Sequence, residues 1–126
     1  MAEEIQVWLN DNYGTDLIID GDFGPLTKMA LVMAYQIELN IQFNRGLEID
    51  GLYGPRTSAA FITLRRGARG NITRIIQSML YFKGYIIEPT GVFNANTQEA
   101  VEDFQQNNNL IEDGVIGKRT LDRLFL

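Results

Sequence analysis

One eight-residue pattern occurs four times in this 126-residue chain, and nothing else in the sequence restricts the fold as strongly. It reads Asp20-Gly-Asp-Phe-Gly-Pro-Leu-Thr27, Asp50-Gly-Leu-Tyr-Gly-Pro-Arg-Thr57, Thr90-Gly-Val-Phe-Asn-Ala-Asn-Thr97 and Asp113-Gly-Val-Ile-Gly-Lys-Arg-Thr120. Asp or Thr followed by Gly suits a tight turn that needs positive φ, and the aromatic or Ile two residues later points a bulky group inward. Gly24, Gly54, Asn94 and Gly117 then stand where a helix N-cap belongs. Pro25 and Pro55 take the first helical position, where a missing N–H is harmless. Each copy therefore predicts a turn, an apolar plug and a helix start.

Helical spacing follows every copy: Ala30, Met33, Ala34 and Ile37; Ala60, Phe61 and Leu64; Ala100, Val101 and Phe104; Leu121, Leu124 and Phe125. Two further helices lead each pair of turns. One runs over roughly Glu3 to Asn12, with Ile5, Trp8 and Leu9 on one face, and Trp8 is read there as a core residue. The other runs over roughly Ile72 to Lys83, with Ile72, Ile75, Ile76, Met79 and Leu80. The expected architecture is all-α: two tandem three-helix modules, residues 1–64 and 65–126, joined by the short linker Leu64 to Asn71. The halves correspond outside the turns as well, Ile5-Gln6 and Leu9 matching Ile76-Gln77 and Leu80. They differ in length, since 30 residues separate Asp20 from Asp50 but 23 separate Thr90 from Asp113, and the surplus falls near Leu39 to Arg45.

Composition then removes whole classes of function. There is no cysteine and no histidine, so disulfides, thiolate or imidazole metal sites and the common nucleophile–base pairs are out of reach. No metal or cofactor is expected: Asp20-Gly-Asp22 lacks the rest of a calcium loop. The carboxylates fall at turns and helix surfaces rather than in one cleft, which points away from a glycosidase and from any enzyme. The net charge is −5, with nine acids against three bases in residues 1–63, and this argues against nucleic acid as a partner. No run reaches the roughly 20 apolar residues of a membrane helix, so no membrane partner is expected, and the start Met1-Ala2-Glu3-Glu4 lacks the features of a signal peptide.

The second half runs Gly67 to Gly70, Ile75 to Leu80, Gly84-Tyr85, Thr90 to Thr97, Ala100 to Gln105 and Leu110 to Thr120. This order resembles the peptidoglycan-binding type 1 domain, and the first half repeats it with departures at its start and at Ala34-Tyr35-Gln36. The resemblance implies three-helix units that bind peptidoglycan, through its glycan or stem peptide, without catalysis. It further implies a partner catalytic domain, that of a lytic enzyme such as an amidase, endopeptidase or muramidase, and a place at the bacterial cell wall, by export or by release of a phage product at lysis. Two linked sites on a repeating polymer would bind by avidity. The alternative is a structural or assembly module of a phage or cell-wall protein that binds protein rather than glycan.

The ligand-binding candidates are Tyr13, Asp20, Tyr53, Arg56, Tyr85, Asp113 and Arg119. Tyr13 and Tyr85 close the leading helices and offer an apolar face with a hydroxyl. Asp20, Asp50 and Asp113 could accept from sugar hydroxyls or peptide amides, or cap their own turns. Tyr53 shares its position with Phe23, Phe93 and Ile116, which also reads as a core plug. Arg56 and Arg119 recur in the first turn of a helix, where a cation opposes the helix dipole, so helix stability does not explain them. Arg65, Arg66, Arg69 and Arg74 form a basic cluster that suits stem-peptide carboxylates or a solvated linker face.

Overall fold

The computed structural model describes residues 1–126 and contains six helices and no strands. They are α1 (Ala2–Tyr13), α2 (Pro25–Phe43), α3 (Pro55–Ala59), α4 (Asn71–Phe82), α5 (Ala95–Asn107) and α6 (Lys118–Leu124). Gly24, Gly54, Asn94 and Gly117 are the N-caps of α2, α3, α5 and α6, as the repeated pattern predicts. Asn94 alone can cap with its side chain, which accepts from the Thr97 N–H. α1 stops at Gly14 and α2 at Asn44, both in the left-handed conformation that releases a chain from a helix.

The extra length of the first half lies where the sequence places it. α2 has 19 residues against 13 in α5, so it overshoots by more than a turn. That length lets it serve two partners, α1 on one side and α4 on the other. Its buried residues Ala30, Leu31, Val32, Ala34, Tyr35 and Leu39 accordingly spread around more than a single stripe. α3 is shorter than the spacing of Ala60, Phe61 and Leu64 suggests, for it ends at Ala59. Leu64 is instead extended and paired with Ile116.

Three helices fall in each half, yet 23 buried apolar residues form one continuous core. The halves meet through α2 on α4 and α3 on α6. Phe23 and Tyr53, expected as core plugs of the first two turns, are not buried as such: Phe23 is 37% exposed and stacks on Phe82 at 4.8 Å, and half-buried Tyr53 stacks on Phe125 at 4.8 Å. Phe93 and Ile116, the plugs of the last two turns, are fully buried and pinned by the linker. Phe93 N–H donates to Ala68 O at 2.9 Å, and Ile116 N–H donates to Leu64 O at 2.7 Å. The segment between the halves is thus bonded into the second half along its length. Trp8 departs from its expected core position: it is half-buried, with the Arg74 guanidinium 4.4 Å above its ring and Tyr13 edge-on at 5.3 Å. No helix is long and apolar enough to cross a membrane.

Candidate functional site

Beneath each of the four turns lies a buried glutamine on the preceding helix: Gln6, Gln36, Gln77 and Gln105. Its Oε1 accepts the N–H of the turn glycine, Gly21, Gly51, Gly91 or Gly114, at 2.8 to 3.0 Å. Its Nε2 donates to the hydroxyl of the closing threonine, Thr27, Thr57, Thr97 or Thr120, at 3.0 to 3.2 Å. Nε2 also reaches the carbonyl of the residue after the glycine, at 2.9 to 3.1 Å. One amide therefore ties a helix, a turn and the next helix together. An unpaired amide this deep would be costly, so the turn and glutamine require each other. The sequence did carry the signal, since Gln stands at an equivalent place in four otherwise apolar helical stripes.

The same wiring explains the aspartates. Asp20, Asp50 and Asp113 each accept from a glutamine Nε2 through Oδ1. The same oxygen accepts the N–H two residues on, at 2.9 to 3.0 Å, which is an Asx turn. Those hydrogen bonds hold the Asp20 and Asp50 carboxyls below the usual range, the backbone N–H of Asp22 and of Leu52 contributing most. Thr90 does the same work at the third turn with its hydroxyl, accepting from Val92 N–H at 3.1 Å.

The tyrosine candidates are engaged inside the protein. Tyr13 donates to Glu38 Oε2 at 2.6 Å, and Asn71 from the second half donates to the same oxygen at 3.0 Å. Burial and this carboxylate push the Tyr13 hydroxyl far above its ordinary value. Tyr53 donates to Asp122 Oδ1 at 2.7 Å. Tyr85 packs edge-on to Phe104, accepts from Asn107 at 3.0 Å, and lines a cleft of about 550 Å³ with Phe23, Tyr81, Phe82 and Ile86. Tyr35 is fully buried against Phe125. Glu38 and Asp122, the two carboxylates that join the halves, were not singled out from sequence because their partners lie 25 to 69 positions away.

Arg56 and Arg119 are exposed and make no hydrogen bond or ion pair with the protein. Each lines a groove beside its turn. The Arg56 groove is about 420 Å³, with Glu48, Asp50, Leu47 and Leu52 in its walls. The Arg119 groove is about 250 Å³, with Asp113, Lys118, Leu110 and Val115. A third groove of about 260 Å³ lies beside the first turn, with Leu26 at the arginine position and Asp16, Asp20 and Asp22 around it. Of the basic cluster, Arg65, Arg66 and Arg69 stay exposed on the linker, whereas Arg74 is drawn away onto Trp8.

Three of the four turns are thus flanked by an open groove whose wall is mixed, apolar surface with charged residues at its edge. Residues 69–124, somewhat less than half of the chain, match the family model described as "Putative peptidoglycan binding domain". Among curated proteins the chain is similar to the uncharacterized protein FadG of Bacillus subtilis (strain 168), 33% identical over 129 aligned residues. That alignment covers 95% of the chain and 22% of FadG, so the chain spans about a fifth of that relative's length. No solved structure matches the chain.

Proposed function

We propose that the whole chain is a peptidoglycan anchor, with residues 1–64 a diverged second copy of the domain matched at 69–124, and that it holds a lytic enzyme on the bacterial wall. The observation that carries this reading is the glutamine wiring, which recurs in the first half at Gln6 and Gln36 with the geometry it has at Gln77 and Gln105. The likeness to FadG, which extends over 95% of the chain, supports treating both halves as one unit. Open grooves beside the turns offer a wall ligand both apolar surface and charged groups, with Asp20, Arg56, Asp113 and Arg119 lining them. Tyr85 lines the apolar cleft between the halves, where a sugar ring has an aromatic face to lie on.

The test is co-sedimentation of the chain with insoluble peptidoglycan sacculi, before and after stripping accessory polymers, while soluble fragments are assayed. Retention on both preparations with no fragment release is expected. A second reading, protein docking in an assembly, is favoured by exposed apolar side chains such as Ile18, Ile86 and Ile111. Failure to sediment with sacculi of several wall types would select it.

A further inference from the structure

Three of the four turns open onto equivalent grooves built on the same buried glutamine–glycine–threonine wiring, so their backbones are alike and only their side chains differ. The charges that line them diverge in steps. Around Leu26 stand three acids, Asp16, Asp20 and Asp22, and no base. Around Arg56 stand two acids, Glu48 and Asp50, and one base. Around Arg119 stand one acid, Asp113, and two bases, of which Lys118 is already held by Asp122 at 2.9 Å.

We infer that the Arg56 and Arg119 grooves each take a carboxylate of a short peptide, two per chain, and that the Leu26 groove takes none; this rests on the wall-binding reading above. A guanidinium presents a planar fork of donors that fits a carboxylate and is weakly hydrated, so an unpaired arginine on a groove is suited to that group. Neither Arg56 nor Arg119 has an internal partner to leave. Asp50 and Asp113 commit Oδ1 to their turns, and no protein group donates to Oδ2, which is left for a ligand N–H. A peptide carries both the carboxylate and the N–H. Neutral sugar hydroxyls would gain little from the guanidinium. In the Leu26 groove three like charges repel a carboxylate and nothing offsets them.

The experiment is a two-dimensional 15N–1H NMR titration with a soluble disaccharide–tetrapeptide bearing free carboxylates, and with the same compound amidated at them. Amide shifts are expected at Arg56, Thr57, Arg119 and Thr120, and none at Leu26 and Thr27. Amidation is expected to weaken binding about tenfold or more, the worth of a charge-assisted pair. Arg56→Gln should erase the first set of shifts and leave the second, and Arg119→Gln the reverse; both positions are exposed, so the folded spectrum persists. Equal binding of the amidated compound, shifts of equal size at Leu26, or indifference to both substitutions would overturn the inference. Sedimentation with sacculi separates the two readings. A chain that is retained but shows no groove shifts keeps the wall reading and loses this one; groove shifts without retention keep this one and lose the wall reading.

Discussion

The hydroxyl of Tyr53 donates to Asp122 Oδ1 at 2.7 Å across 69 positions of sequence. Ser58 donates to the same oxygen at 2.6 Å, and Lys118 reaches Oδ2 at 2.9 Å. Asp122 on α6 thereby holds the second turn and α3 of the other half. On α2, Glu38 accepts from Tyr13, Gln42 and Asn71 and joins α1, α2 and α4 in the same manner.

Burial works against ionisation at Asp122 and Glu38, but the hydrogen bonds they accept outweigh it and hold both carboxyls below their ordinary values. A folded-state value below the unfolded one adds stability that is fully present above the unfolded pKa, about 4 for these groups. That stability is lost as pH falls through the folded value. Urea midpoints are therefore expected to be level from pH 7 to about 5 and to drop below about 4. Asp122→Asn should cost about 1 kcal/mol at pH 7, a modest figure because 37% of that side chain meets solvent. It should also make the acid limb shallower. An unchanged acid limb in the variant would show that Asp122 is not one of its causes.

Gln36 is buried and serves Gly51, Leu52, Asp50 and Thr57 at once. Gln36→Leu keeps the volume but strands the Gly51 N–H and the Thr57 hydroxyl, so it should destabilise by about 2–4 kcal/mol. Chemical denaturation measures this directly. A loss below about 0.5 kcal/mol would mean that the turn holds without its glutamine.

Gly51 and Gly46 both have positive φ, at 73° and 66°. They differ in space. A Cβ on Gly51 would meet the Met29 side chain and stand 3.2 Å from the Met29 carbonyl oxygen, whereas one on Gly46 meets nothing within 4 Å. Gly46→Ala should cost about 1 kcal/mol from backbone strain alone, and Gly51→Ala clearly more, about 2–4 kcal/mol. Equal thermal shifts for the two variants would show that the turn can move away from α2.

Phe125 is buried between Tyr35 at 5.2 Å and Tyr53 at 4.8 Å, both from the other half. With one core spanning the halves, Trp8 fluorescence and far-ultraviolet circular dichroism should report a single coincident unfolding transition. Phe125→Ala should lower its midpoint by an amount equivalent to about 3–4 kcal/mol. Separated transitions in the unsubstituted chain would show the halves to be independently stable.

The local features were legible because each depends on neighbours in the chain. Four turns, four N-caps and the place of the surplus residues follow from glycine conformations, proline placement and residue counts, though not that the surplus lengthens α2. The short α3 was not legible, because Ala60, Phe61 and Leu64 keep helical spacing while Leu64 is drawn into a bridge with Ile116. Trp8 was misread for a related reason: apolar periodicity identifies a face, and only the arrival of Arg74 reveals that this face is an edge of the core. Among the candidate ligand residues, Tyr13 and Tyr53 looked available because Glu38 and Asp122 are remote in sequence. Arg56 and Arg119 are exposed, and their side chains have no partner within the protein.

The sequence by itself determined the all-α class, the four repeated turns and their order, since turn chemistry and helical periodicity act within a few residues of one another. Only the tertiary structure decided that the halves share one core, that Phe23 and Tyr53 stack on rings of the opposite half, and which polar groups remain free for a ligand. Those outcomes depend on which faces meet across long stretches of chain. Apolar burial is non-directional, so a pattern shows that a side chain is to be covered without showing what covers it.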